Sequence, residues 1–149
     1  MVICALNHLE YLSLSYNLLT TVPPEIGSLV NLKNLYLDGN QLTTLPVAIE
    51  KLTQLQCLDI SHNAITSLPS EIGNLSNLEE LYLANNNLST LPKEIINLKN
   101  LRIIDLSGCR FKTMPAELAQ LPSLETVYLE KDKPIQMNSI ATTAAVAGQ

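Results

Sequence analysis

The chain has 149 residues, a length that suits one domain, and its formal net charge of −5 argues against nucleic-acid binding, which usually requires a basic surface. It has no tryptophan and one phenylalanine, so leucine and isoleucine must fill the core. No stretch reaches the roughly 20 consecutive apolar residues of a transmembrane helix, which argues against membrane insertion.

The three cysteines, Cys4, Cys57 and Cys109, are too few and too widely separated for a disulfide framework, and their odd number leaves one unpaired in any scheme. Free thiols favour a reducing, cytoplasmic location. The opening MVICAL is apolar, but no basic residue precedes it and no small-residue cleavage site follows it, so it does not resemble a signal peptide.

Residues 1–8 form half of a repeat. MVICALNHL aligns with the later PEIGSLVNL, which places Ile3 over Ile26 and Leu6 over Leu29. This start supplies a return segment without a preceding strand, and no N-terminal cap is evident. An uncovered edge strand invites pairing with another chain. We favour a fragment of a longer array over the alternative, which is self-association through the N-terminal edge.

Residues 9–123 form five full repeats. Seven positions are apolar in all five copies, which an apolar content of 46% does not produce by chance. Alternating leucines face one side of a strand, and that side becomes buried only when copies stack. Identical repeat lengths therefore predict parallel strands in register. The first apolar position holds Leu9, Leu32, Leu55, Leu78, Leu101 and, in a sixth copy, Leu124.

Two further positions recur in each repeat. One is a proline that presets φ for short helical or 3₁₀ return turns. The other predicts a tight turn whose backbone groups are bonded by an asparagine carboxamide. Cysteine donates more weakly and ionised aspartate donates nothing, so the asparagine ladder is predicted to weaken toward the C-terminus. The ladder holds Asn17, Asn40, Asn63, Asn86 and Cys109, and then Asp132.

The repeat pattern ends near residue 135. We assign residues 124–135 to a partial sixth repeat, in which Pro134 occupies a leucine position. Residues 136–149 are interpreted as a C-terminal tail or minimal cap, rich in alanine and threonine, and we expect them to be mobile.

The pattern LxxLxLxxNxLxxLPxxIxxLxx, as in LKNLYLDGNQLTTLPVAIEKLTQ, resembles the 23-residue leucine-rich repeat over about residues 8–135. Its LPxxIxxL half is similar to intracellular Ras-scaffold proteins and to plant and bacterial repeat proteins. The resemblance implies an α/β fold, a right-handed solenoid with six parallel strands on the concave face and short helical or 3₁₀ turns on the convex face. It also implies protein binding through the concave face, without catalysis or a cofactor.

Tyrosine and aspartate alternate at one strand position between the leucines. Tyrosine suits strands and stacks across them, but it is also enriched where proteins dock, and we favour docking for this surface as a whole. Tyr16 is placed on the same surface, and Cys57 and Ile103 are expected to add apolar spots to it. The candidate protein-binding residues are Tyr11, Tyr36, Asp38, Asp59, His62, Glu80, Tyr82, Arg102, Asp105, Arg110 and Tyr128.

Charge on this surface changes along the chain. Acidic residues predominate in the first four repeats, and basic residues enter in the last two. A partner with a basic patch over the N-terminal part would be steered by such a gradient, and ordinary solubilising charge is the alternative. The acidic set is Glu10, Asp38, Asp59, Glu79 and Glu80 against Lys33; the later set is Arg102, Arg110, Lys131 and Lys133 beside Asp105, Glu125 and Glu130.

The sequence has no glycine-rich nucleotide loop and no spaced metal ligands. His8 and His62 are isolated, so a metal site is not expected. Paired acids on a flat strand face have no nucleophile beside them, and we expect no enzyme activity within the chain. Two alternatives to a resident binding module remain, since this repeat hosts many roles. They are a targeting or regulatory segment of a larger enzyme and a secreted pathogen effector that binds a host protein.

Overall fold

The computed structural model describes residues 6–137, which form one sheet of seven short strands in chain order. The first six strands are parallel, and Leu12, Leu35 and Leu58 lie side by side in their register. The predicted solenoid arc of parallel strands and short return turns is confirmed. The parallel strands are β1 (Tyr11–Ser13), β2 (Asn34–Tyr36), β3 (Cys57–Asp59), β4 (Glu80–Tyr82), β5 (Ile103–Asp105) and β6 (Thr126–Glu130).

The core consists of columns of aliphatic side chains, one column for each apolar position of the repeat. The central strand leucines Leu35, Leu58 and Leu81 are 0% exposed. Burying one such side chain contributes about 1.5–3 kcal/mol before chain entropy is subtracted. Leu12 occupies the same column but is only partly buried, because β1 is the outermost strand. No tyrosine of the described residues belongs to this core.

Within residues 6–137, five 3₁₀ turns carry the chain back along the convex side. Each follows a proline whose φ lies between −70° and −58°, the range that the pyrrolidine ring imposes. Each turn also buries an isoleucine or leucine against the strand leucines, which closes the core. The turns span Pro24–Ser28, Val47–Lys51, Ser70–Asn74, Lys93–Asn97 and Ala116–Gln120.

Buried asparagines connect successive coils where the chain leaves each strand. The Asn86 amide donates to Ile60 O of the preceding coil at 2.9 Å and to Leu83 O of its own coil at 3.0 Å. Its Oδ1 accepts from the Ile65 backbone N–H at 2.9 Å. Asn63 makes the same bonds one coil earlier, and Asn40 makes them two coils earlier. One side chain thus satisfies buried backbone groups on two coils.

The two ends of this ladder are weaker than its middle. Asn17, in the first coil, is exposed and donates only to the nearby Leu14 O and Ser15 O. Cys109 replaces the amide with a thiol that donates to Leu83 O at 3.1 Å. Burial raises the pKa of this thiol, and the Leu88 backbone N–H bonds to it. A thiol has one weak donor where the amide has two.

We expect Cys109→Asn to stabilise the protein by about 1 kcal/mol, because the second amide hydrogen reaches Leu106 O while the first keeps the bond to Leu83 O. Urea unfolding followed by circular dichroism measures the change. Cys109→Ala is the control and should lose about 1 kcal/mol, since it leaves the Leu88 N–H without a partner. If the asparagine variant is no more stable than the parent, the ladder does not extend to this coil.

The C-terminal end contains a strand that the sequence did not predict. β7 (Lys133–Gln136) runs antiparallel to β6, with Val127 opposite Ile135. Asp132 lies in the tight turn between them with a φ of 59°, so it does not continue the asparagine ladder as expected. The hairpin covers the last parallel strand. Most of the predicted tail, residues 138–149, and the start of the N-terminal half repeat, residues 1–5, lie outside the described residues.

Candidate functional site

The concave face carries a central column of side chains between the buried leucines. The parallel register places one residue of each strand in this column, at intervals of about 4.8 Å. Tyrosine and aspartate that alternate in sequence therefore alternate in space. The column runs through Ser13, Tyr36, Asp59, Tyr82, Asp105 and Tyr128. We call its last five members, Tyr36 to Tyr128, the central strip.

Tyr36 is held by contacts on both neighbouring strands. Its ring lies 5.3 Å from that of Tyr11, centroid to centroid, with the planes inclined by 44°, an arrangement typical of aromatic pairs. Its hydroxyl lies against the Cys57 thiol. Burial raises the pKa of Tyr36 to about 12, and Cys57 adds to this shift. The ring is therefore positioned before any partner binds.

Cys57 differs from its sequence-based interpretation. It was expected to add an apolar spot to the inner face, but it is 7% exposed and packs against Tyr36. Burial, together with the charges of Glu80 and Asp59, raises the pKa of the thiol to about 11, although the hydrogen bond with Tyr36 partly opposes the shift. A thiol with this pKa stays protonated at neutral pH and is a weak nucleophile. Ile103 is half-buried on β5.

Tyr82 and Glu80 form a hydrogen-bonded pair on β4. The Tyr82 hydroxyl donates to Glu80 Oε2 at 2.6 Å. Burial raises the pKa of Tyr82 above its ordinary value, and the bond to the Glu80 carboxylate raises it further. The sequence presented these residues as separate contacts. In the structure they act together, because Glu80 fixes the Tyr82 ring along the strand.

The two aspartates of the strip are oriented by serines that follow their strands. Asp59 Oδ1 accepts from the Ser61 backbone N–H at 2.9 Å. Asp105 Oδ1 accepts from the Ser107 backbone N–H at 2.9 Å and from its hydroxyl at 2.6 Å. Burial raises the pKa of Asp59, although the bonds from Ser61 partly oppose the shift. Both carboxylates are thus fixed in place on the inner face.

A groove of about 410 Å³ lies over the C-terminal half of the strip. Tyr82 and Tyr128 line it on either side of Asp105, and the tip of the β6–β7 hairpin, with Lys131 and Asp132, closes one end. The hairpin that the sequence did not predict therefore shapes the site. His62, Ala84, Asn85, Ile103 and Ser107 complete the lining.

The two arginines predicted for the site lie apart from the strip. Arg102 precedes β5 and pairs with Glu125 at 3.2 Å and with Glu79 at 3.7 Å. These exposed pairs contribute little stability individually, but they neutralise the guanidinium. Arg110 is exposed in the turn after Cys109, five residues beyond the end of β5. Neither arginine neutralises the aspartates of the strip.

The N-terminal end of the face is acidic with one cation. Asp38 follows β2, and its carboxylate accepts a hydrogen bond from the Ser15 hydroxyl. Lys33 pairs with Glu10 at 3.3 Å. The single lysine of this region is thus already matched by a glutamate, so Asp38 has no cationic partner in the described residues.

Sequence reasoning missed a row of left-handed residues beside the asparagine ladder. The residue before each ladder position has a φ between 53° and 70°, a conformation that costs non-glycine residues about 1–2 kcal/mol. Tyr16 belongs to this row and lies over Gly39, rather than on a strand. Glycines at two positions of the row and an asparagine at a third were the available signal. The row is Tyr16, Gly39, His62, Asn85 and Gly108.

His62 lies in this row at the edge of the groove, where its Nε2 is 3.2 Å from Asn85 Nδ2. His8 is exposed before β1. Within residues 6–137, no three or more histidine, cysteine, aspartate or glutamate side chains are grouped as metal ligands would be. In the same range no helix has the length and apolar character needed to cross a bilayer.

Comparisons with known proteins give one consistent result. A family model described as a leucine-rich repeat region matches residues 1–86, and another, described as a leucine rich repeat, matches residues 76–133. A leucine-rich repeat protein of Leptospira interrogans is 42% identical, with a TM-score of 0.79 over 84% of this chain and 32% of that one.

Two further structures are similar. The plant peptide hormone receptor RGFR1, solved in complex with RGF2, is 31% identical, with a TM-score of 0.71 over 87% of this chain and 26% of the receptor. The leucine-rich repeat domain of the type III effector XopL is 26% identical, with a TM-score of 0.77 over 85% of this chain and 46% of that one. The chain spans less than half the length of each of these three proteins.

Proposed function

The chain belongs to the leucine-rich repeat family, and we propose that it is a non-catalytic module that binds a protein partner on its concave strand face. One observation carries this proposal. Rings and carboxylates from five consecutive strands lie in one column, the central strip, and each is half-exposed.

The strip is organised for binding because its side chains are already ordered. Tyr36 is held by Tyr11 and Cys57, and Tyr82 is held by Glu80. Association then requires less loss of side-chain entropy, which is a main cost of forming an interface. Tyrosine also supplies a large contact area with only two rotatable side-chain bonds. The RGFR1 receptor, which was solved with RGF2 bound, supports a protein or peptide ligand for this fold.

We propose a reducing, cytoplasmic environment for the module, with a secreted effector as the alternative. Cys57 and Cys109 carry free thiols, and Cys57 is buried. The partner is proposed to have a basic patch, since the face bears Asp38, Asp59 and Asp105. Charge of opposite sign on the partner would accelerate the encounter and orient the two molecules.

The test uses a displayed library of random peptides selected on the parent protein, followed by calorimetric titration of the selected peptides. Replacing Tyr36 and Tyr82 together with alanine should weaken binding by about tenfold or more, since aromatic anchors dominate interface energies. Because both hydroxyls have partners, this variant should also lose about 1 kcal/mol of stability for each residue. Titrations are therefore run well below its melting temperature.

The matched control replaces two exposed apolar residues outside the strands, Val47→Ala in a convex turn and Val30→Ala in the segment after the turn that ends at Ser28. Peptide affinity should stay within about twofold of the parent, because surface substitutions away from the site change little. Equal loss of affinity in the control and concave variants would contradict binding through the strip. Selected peptides that bind the concave variant as tightly as the parent would contradict it as well.

A second candidate is a recognition segment within a longer protein, including an enzyme or an effector. One observation favours it: the chain covers 32%, 26% and 46% of the three similar structures described above. Sequencing the coding region on both sides of the chain distinguishes the candidates. An adjoining catalytic domain would make this module the targeting part of an enzyme, and more repeats alone would extend the binding surface.

A further inference from the structure

We propose that the central strip binds an extended segment in the polyproline II conformation that carries a basic side chain at every third residue. This inference rests on the proposed function and names the chemistry of the partner. Three features of the strip carry it: its period, its unmatched negative charge and its aromatic rings.

The period of the strip matches that of a polyproline II helix. Equivalent side chains recur on every second strand, as with Asp59 and Asp105. Two strand intervals of about 4.8 Å give about 10 Å. A polyproline II helix rises about 3.1 Å per residue and has three residues per turn, so its same-face side chains recur every 9 Å or so. In a β-strand the same-face spacings are about 7 Å and 13 Å, and neither matches.

The aspartates provide negative charge that nothing in residues 6–137 matches. Every ion pair in that range uses a glutamate, namely Glu10, Glu79, Glu125 or Glu130. Asp59 and Asp105 accept hydrogen bonds from Ser61 and Ser107, which are neutral donors, and neither carboxylate forms an ion pair within residues 6–137.

The surroundings of the two carboxylates leave room for an external cation. Lys131 lines the groove without pairing to Asp105, and Asp132 lies beside it. Burial raises the pKa of Asp59 although Ser61 and His62 partly oppose the shift, so its ionised form is held at a cost that a bound cation would relieve.

The tyrosine rings supply the apolar contacts to the proposed polyproline II ligand. Tyr82 and Tyr128 flank Asp105 one strand away on either side, and Tyr36 and Tyr82 flank Asp59 in the same way. A guanidinium on each carboxylate would lie between two aromatic side chains, where cations are favoured. The intervening prolines would contact the rings, as in other aromatic-lined grooves that bind polyproline segments. The strip spans four strand intervals, about 19 Å, which is two turns of such a helix.

The experiment compares two blocked peptides by calorimetric titration at low ionic strength. One repeats Arg-Pro-Pro three times, and the other has the same residues with its three arginines contiguous. The repeating peptide should bind about tenfold or more tightly than the permuted one, because only it places two cations on both aspartates at once. Equal affinities would show attraction by charge alone and would overturn the proposed conformation.

Substitutions test whether the two aspartates of the strip bind the repeating peptide. Asp59→Asn with Asp105→Asn keeps an acceptor for each serine but removes two charges, and it should reduce the affinity of the repeating peptide by about tenfold or more. Glu94→Gln with Glu117→Gln removes the same charge from the convex turns and should leave affinity within about twofold. Equal effects of the two variants would overturn the proposal.

The peptides and the library separate the two proposals. If neither arginine peptide binds while library-selected peptides still depend on Tyr36 and Tyr82, the basic polyproline ligand is wrong and the concave docking surface stands. A selected ligand that is helical in the bound state would overturn the conformation in the same way. If selected peptides do not depend on these tyrosines, the proposed function fails first.

Discussion

Asn86→Ala is expected to destabilise the protein by about 3 kcal/mol, one of the two largest single-residue effects that the structure indicates. Asn86 is 4% exposed, and its amide donates to Ile60 O and Leu83 O while its Oδ1 accepts from the Ile65 N–H. Alanine leaves the buried Ile65 N–H without its partner. It also removes one of the two side-chain donors from Ile60 O, which keeps the Asn63 amide, and from Leu83 O, which keeps the Cys109 thiol. An unsatisfied buried backbone group costs about 1–3 kcal/mol, and only part of this is recovered by water entry.

Urea unfolding measures the effect, and Asn17→Ala is the matched control. Asn17 has the same position in the repeat, but it is exposed and bonds only within its own coil. Its loss should cost about 0.5 kcal/mol, because water replaces the amide. The prediction fails if the two variants lose similar stability. That result would assign the asparagine to a local turn and remove its role in joining coils.

The parallel part of the fold was predictable from the sequence. A strand with leucine on one side must stack to bury it, and an identical repeat length allows only one register. Leu12, Leu35 and Leu58 therefore had to be neighbours, and they are. The direction of Tyr36 followed from the same alternation, since it lies between two buried leucines.

The C-terminal hairpin was not predictable because it occurs where the repeat fails. In the sequence, Pro134 and Asp132 are departures from the repeat pattern of a sixth coil. In the structure, Asp132 forms a left-handed turn. Pro134 lies on an outer strand, where one side of the backbone needs no N–H donor. The spacing of the repeats does not indicate that the chain reverses direction after β6. The hairpin matters for the site, since Lys131 and Asp132 at its tip close the groove.

The side-chain pairs on the concave face could not be predicted from the sequence either. Tyr82 and Glu80 are two residues apart on one strand, and Tyr36 and Cys57 lie on adjacent strands. Periodicity places these residues on a face but does not choose their rotamers, which depend on competition among neighbouring side chains. The candidate list therefore treated as independent several residues that are positioned by each other.

Leu58→Ala is expected to cost about 3–4 kcal/mol. Leu58 is 0% exposed at the centre of the sheet, between Leu35 and Leu81. Removing three carbons from a fully packed site loses their transfer free energy and leaves a cavity that the neighbours fill only partly. In a solenoid each coil contacts only its neighbours, so the cost is concentrated at the two interfaces of β3. Chemical unfolding with unchanged m-value measures it.

Leu12→Ala is the control for the position of the leucine in the sheet, since Leu12 occupies the same column on the outermost strand. It is only partly buried, so its truncation should cost about 1 kcal/mol, in proportion to the smaller apolar area lost and without an enclosed cavity. The difference in unfolding free energy between the two variants measures how much more a leucine stabilises the protein when its strand is covered on both sides. Equal losses would mean that β1 is covered in solution, by another copy of the chain or by residues outside the described range, and analytical ultracentrifugation of the parent would identify a second copy.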